Sequence, residues 1–178
     1  MGLELQKGQE ILARLDRIPV WPFSRLVLFT VGIGFFFAFF DIVSIGLALP
    51  VIVTQMHTTT EMGLASITSS LIGYIIGSFL DSRVADLLGR RLALFISISF
   101  FSIGSLFAAF SPNIEYLIIA RFIIGMGIGS EIANVSTYIS ELSPKACRGK
   151  ASCQAIAYGF IGFALVPFVA LLLIPNFE

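Results

Sequence analysis

The sequence predicts an all-α membrane protein of five spanning helices, and three observations carry that prediction. The first is composition. Of 178 residues, 57% are hydrophobic and only 12% are charged, with a mean hydropathy of +0.95. A soluble domain averages about 45–50% apolar and about 25% charged, so this chain cannot clothe a water-facing surface. The second is patterning: the apolar residues fall into five solid runs of about 20 residues or more, the length that crosses a bilayer as a helix. None shows the every-second-residue alternation of a barrel strand. The third is charge placement, with every basic residue but Arg121 lying before the first run or in alternate connections. An ordinary cytosolic enzyme and a disordered segment are both excluded.

Residues 1–24 read as a cytoplasmic N-terminal amphipathic segment. Glu4–Ile18 places Ile11, Leu12, Leu15 and Ile18 on one side, suited to lying in the membrane interface. Trp21, between Pro19 and Pro22, suits the headgroup region. Charges continue to Arg25, unlike a cleaved signal peptide. The bundle proper is expected over residues 25–178. Span one is about 27–53 and carries Asp41. Span two, about 62–80, and span three, about 92–110, are uncharged. Span four, about 116–140, carries Arg121 and Glu131, and span five, about 151–175, is uncharged. Backbone groups in lipid must be satisfied within the segment, so each span is a helix. Gly32, Gly34, Pro50, Gly162 and Pro167 are tolerated there.

Lys7, Arg14, Arg17 and Arg25 precede span one; Arg83, Arg90 and Arg91 join spans two and three; Lys145, Arg148 and Lys150 join spans four and five. The connections near Thr54–Glu61 and Ser111–Glu115 hold no Lys or Arg. The positive-inside rule then puts the N-terminus in the cytoplasm and the C-terminus outside the cell membrane.

Ionisable residues at membrane depth are costly and usually functional. Asp41 and Glu131 are expected at comparable depth, with Arg121 ten residues before Glu131, about 15 Å nearer the outside. Desolvation disfavours the charged form of a carboxyl, so these acids are candidates to take up and release protons, with Arg121 as counter-ion. A structural buried pair is the competing reading. Gly73 and Gly77 in span two, and Gly125, Gly127 and Gly129 in span four, give flat faces for close helix packing.

Other chemistry finds no residues. Cys147, Cys153 and the lone His57 make neither a disulfide framework nor a metal site. Gly125–Gly129 sits mid-span rather than between a strand and a helix, so it is no dinucleotide fingerprint, and no Walker A sequence occurs. The sequon Asn134–Val135–Ser136 is buried in span four. No cofactor, metal, nucleic acid or enzymatic activity is expected. The partners expected are the lipid bilayer, a small-molecule substrate and protons.

The segment Ser82-Arg-Val-Ala-Asp86-Leu-Leu-Gly89-Arg90-Arg91 reads as a loop between spans two and three. It resembles the signature loop of the major facilitator superfamily, Gly-x-x-x-Asp-Arg-x-Gly-Arg-Arg, with Ser82 for the first Gly and Leu87 for the usual basic residue. Arg121–Gly125 is similar to that family's Arg-x-x-x-Gly in helix four. Glu141–Gly149 is similar to the Glu-x6-Arg-Gly motif of its sugar-porter and metabolite–proton symporter branches, and Ser111-Pro112-Asn113 occupies its short outer turn. The resemblance covers residues 20–175 in register. It implies the N-terminal half of a transporter whose two six-helix bundles rock about a midplane site. Asp86, Gly89, Arg90, Arg91, Glu141 and Arg148 would form a cytoplasmic gate network. Asp41, Glu131 and Arg121 would match proton-coupling residues.

Ile156 and Phe163 fall where sugar porters place sugar-binding glutamines. Gly127–Glu131 looks more like phosphate and organic-acid symporters, although Ala38 replaces the first acid of their Asp-x-x-Asp in helix one. An organic metabolite or anion is therefore the expected solute. With five spans, the sixth helix and second bundle are expected to be absent, supplied by a separate chain or lost. The alternative expectation is a non-transporting membrane fragment, or an interaction or sensor protein that keeps the fold.

Overall fold

Five long apolar runs become five long helices because a hydrocarbon solvent leaves the backbone no partner but itself. The structure, a computed structural model, describes residues 25–173 together with Glu10 and Arg17. Apart from those two positions, the expected N-terminal amphipathic segment lies outside the described residues. The helices are α1 (Arg25–Gln55), α2 (Thr60–Leu88), α3 (Arg90–Ala109), α4 (Ile114–Leu142) and α5 (Arg148–Leu173). All five are long and apolar enough to cross a membrane. Their outward faces carry Phe79, Phe95 and Leu171, each at least 70% exposed, which is a lipid-facing surface rather than a wet one.

The connections are short and locally determined. Thr59 caps α2, its hydroxyl accepting from the Met62 N–H at 3.4 Å. Gly89 alone separates α2 from α3. Its φ of 92° and ψ of 151° lie in a region essentially open only to glycine. This corrects the expected loop over Ser82–Arg91. Span two does not end at Leu80, because eight further residues stay helical. Asp81, Arg83 and Asp86 therefore belong to α2, and Arg90 opens α3. Between α4 and α5 the chain turns through Ser143 and Pro144, both fully buried.

α4 is the central helix. It packs broadly on α2 and on α3, whereas α1 packs broadly on α5 and touches α2 and α4 more lightly. Glycines set the α2–α4 crossing. A Cβ on Gly73 or Gly77 would strike the backbone of Phe122 or Met126 on α4. A Cβ on Gly125 or Gly129 would strike that of Ser70 or Tyr74 on α2. The two backbones thus touch through reciprocal glycines, as small residues permit in membranes. Gly127 points elsewhere, against Phe101 of α3. Residues two apart on a helix face different ways, which corrects the expectation of one flat face for Gly125, Gly127 and Gly129. Gly32, Gly159 and Gly162 bring α1 and α5 together, and Phe39 stacks on Phe160 at 5.3 Å between centroids. Two apolar clusters fill the interior: Leu28, Phe35, Val135 and Ala155 toward the Arg90 end, and Ala38, Ile124 and Ile128 in the middle.

Candidate functional site

α1 and α4 run antiparallel, so position along one fixes what it meets on the other. Ala38 meets Ile124 and Ile128. Gly34, one turn before it, faces the Glu131 side chain. Asp41, nearly a turn after it, meets Arg121. Arg121 Nη1 donates to both oxygens of Asp41, at 3.0 and 3.2 Å. The pair is largely buried, with side chains 17% and 11% exposed.

This geometry separates the two acids. Asp41 sits at the level of Arg121, and Glu131 at the level of Gly34. The seven-residue step from Gly34 to Asp41 amounts to about 10 Å of helix rise. The expectation that Asp41 and Glu131 share a depth is thereby corrected. Arg121 neutralises Asp41, while Glu131, 6% exposed, has no ion pair among the described residues. Gly34 makes room for its carboxyl.

A cavity of about 330 Å³ opens beside the Asp41–Arg121 pair, bounded by Ile52 of α1, Met56 just after it, Ser105 of α3 and Leu117 of α4. Arg121 Nε is buried and without a hydrogen-bond partner. The site therefore combines a buried cation, a free N–H donor and mostly apolar walls.

At the opposite end, Arg90 Nη2 lies 2.9 Å from Glu141 Oε1 and 3.5 Å from Asp86 Oδ1. It ties the end of α2, the start of α3 and the end of α4 into one charge cluster. Gly89 places Arg90 one helical turn from Asp86, within side-chain reach. Arg91 is exposed and stands outside that cluster. Arg148 also stands apart, donating through Nη2 to the Ser143 carbonyl at 3.3 Å rather than to Glu141. Of the six residues expected in this network, the structure joins Asp86, Arg90 and Glu141 by ion pairs, with Gly89 as their hinge.

One buried polar pair escaped the sequence reading. Asp81 of α2, 4% exposed, accepts a hydrogen bond from Asn134 Nδ2 of α4, itself 2% exposed. Ser130, one turn before Asn134, donates to the Gly77 carbonyl at 3.0 Å. The signal lay in the spacing: Gly73, Gly77, Asp81 and Ala85 recur every four residues on the buried face of α2. An apolar-run count stops at Leu80 and misses it.

The profile of the Major Facilitator Superfamily matches residues 31–178. The niacin transporter NiaP of Acinetobacter baylyi is 25% identical over 94% of this chain and 38% of its own length. The 4-hydroxybenzoate transporter PcaK of Pseudomonas aeruginosa is 28% identical over 94% of this chain and 38% of its own. The sialic acid transporter NanX of Escherichia coli is 30% identical over 88% of this chain and 38% of its own. The chain thus spans just under two-fifths of the length of these curated relatives.

Proposed function

The chain belongs to the major facilitator superfamily, and on that premise we propose that it acts as the N-terminal part of a proton-coupled secondary transporter for a small organic acid in the cell membrane. The observation that carries this reading is the buried Arg121–Asp41 pair beside a cavity, with Arg121 Nε left unpartnered. A guanidinium with a spare N–H recognises a carboxylate by charge-assisted hydrogen bonds. Niacin, 4-hydroxybenzoate and sialic acid, named for the three relatives, each bear a carboxylate, which supports an organic anion over a neutral sugar.

Asp41 then competes with the substrate carboxylate for Arg121. A proton on Asp41 weakens its hold and frees the guanidinium for the anion; losing that proton restores the pair and expels the anion. Glu131, further along α4 from Arg121, is a second proton carrier in this scheme. Asp86, Arg90 and Glu141, with Gly89 between the first two, form the cytoplasmic gate, and Arg91 and Arg148 flank it. Alternating access would swing this half against a second bundle, supplied by sequence beyond these five helices in the same or another polypeptide.

Proteoliposomes test the reading. The chain is reconstituted alone and with a C-terminal bundle co-expressed as a second polypeptide, and labelled nicotinate and 4-hydroxybenzoate are offered under an inward proton gradient. Uptake that collapses when the gradient is dissipated is expected with the second bundle present. Absence of gradient-driven uptake of every carboxylate in both preparations would sink the proposal.

A further inference from the structure

We propose that Asp81 is a further proton-binding site, lying between Glu131 and the Arg90–Asp86–Glu141 cluster. The periodic glycines of α2 turn Asp81 into the α2–α4 seam, where it is 4% exposed. Its Oδ2 accepts from Asn134 Nδ2, and its Oδ1 is buried with no hydrogen-bond partner. Asp41 is compensated by Arg121, and Asp86 and Glu141 by Arg90; Glu131, on the far side of Asn134, is the other buried acid without an ion pair among the described residues. Asp81 makes no ion pair among the described residues. A buried carboxylate with one neutral hydrogen-bond donor and no ion pair is costly, so the site favours a proton or other cation on Oδ1.

The identity of that cation follows from ligand supply. A hard metal ion takes about six oxygen ligands, and among the described residues no three His, Cys, Asp or Glu gather to hold one. A proton needs a single oxygen, which Oδ1 provides. The groups bearing on Asp81 from the packed helices are Asn134 of α4 and Arg90 of α3, with Glu131 one turn from Asn134. Along α4 the step from Glu131 to Asn134 is about 4.5 Å, and from Asn134 to Glu141 about 10 Å. Asp81 therefore fills the gap between the mid-helix acid and the wet end of the bundle, exchanging its proton with water at that end. Its consequence for transport rests on the proton-coupled reading above; its proton occupancy does not.

Infrared difference spectroscopy of the full chain in lipid nanodiscs, with pH stepped in H2O and D2O, tests the occupancy without transport. A deuterium-sensitive carboxylic-acid band is expected that gives way to carboxylate as pH rises. Asp81→Asn should abolish it, whereas Asp41→Asn and Glu131→Gln should leave it. Asn134→Ala should shift its frequency, and Asp81→Glu should move it to the position of a glutamic acid, so the assignment survives if one variant fails to fold. An Asp81 signal that stays carboxylate, or stays acid, at every pH at which the chain is folded overturns the site. In uptake assays with the second bundle, Asp81→Asn should lower gradient-driven uptake about tenfold, and unchanged uptake would remove its place in coupling. A titrating Asp81 band without uptake by any preparation supports the site and rejects the transporter reading instead.

Discussion

Arg121 and Asp41 show how strongly single residues are bound to their partners in this environment. Removing one member of a buried ion pair strands the other and costs about 3–5 kcal/mol, whereas replacing both with apolar groups is often neutral. Arg121→Leu and Asp41→Leu are each expected to destabilise the chain by that amount, and the double variant to recover most of the loss. Reversible unfolding in mixed micelles measures all three; strictly additive losses would show that the pair is not coupled. The sequence exposed these residues because a charge inside an apolar run stands out. Asp81 did not stand out: it directly follows Leu80, where the run's own end hides it. Nor could the sequence say which acid Arg121 would choose. That depended on the antiparallel register of α1 on α4, set by the packing of Ala38 on Ile124 and Ile128.

At the scale of elements, the reciprocal glycines of α2 and α4 make the seam intolerant of a single methyl group. Gly125→Ala and Gly129→Ala each press a Cβ into the facing backbone, which overpacking data put at about 1–3 kcal/mol. Gly46, exposed on α1 with nothing near its Cβ position, is the control: Gly46→Ala should be neutral or slightly stabilising, as alanine is the better helix former. Thermal unfolding in nanodiscs should separate the two classes, and equal melting temperatures would contradict the seam. The small residues of this contact were legible from their spacing. The opposite aim of Gly127 required knowing that α4 has a helix on both sides. The helical continuation to Leu88 was illegible to an apolar count, because the last two turns of α2 are polar and held by the seam and by Gly89 rather than by lipid.

At the scale of the whole molecule, the basic residues that lie in or beside the described connections gather at one end. Arg83, Arg90, Arg91, Lys145, Arg148 and Lys150 gather where α2 meets α3 and α4 meets α5, and the opposite connections have none. That asymmetry predicts the Arg90 end inside the cell. With Cys147 and Cys153 replaced by serine, a cysteine introduced by Asn113→Cys should react with a membrane-impermeant maleimide in intact cells. One introduced by Lys145→Cys should react only after permeabilisation. The reverse pattern would invert the topology. The number and order of the described membrane-length helices were readable, since each rests on its own run of apolar residues; their grouping was not, since it depends on which faces meet.

That grouping has a mechanical consequence. α2, α3 and α4 are locked by backbone-to-backbone contact and resist sliding, and α1 and α5 form a second plate held by glycines and stacked phenylalanines. The boundary between the plates is a natural plane of shear. The Asp41–Arg121 pair is riveted across it, and Glu131 reaches over it to Gly34. On the proposed function, a proton or an anion arriving at that rivet would act directly on a joint between the two plates.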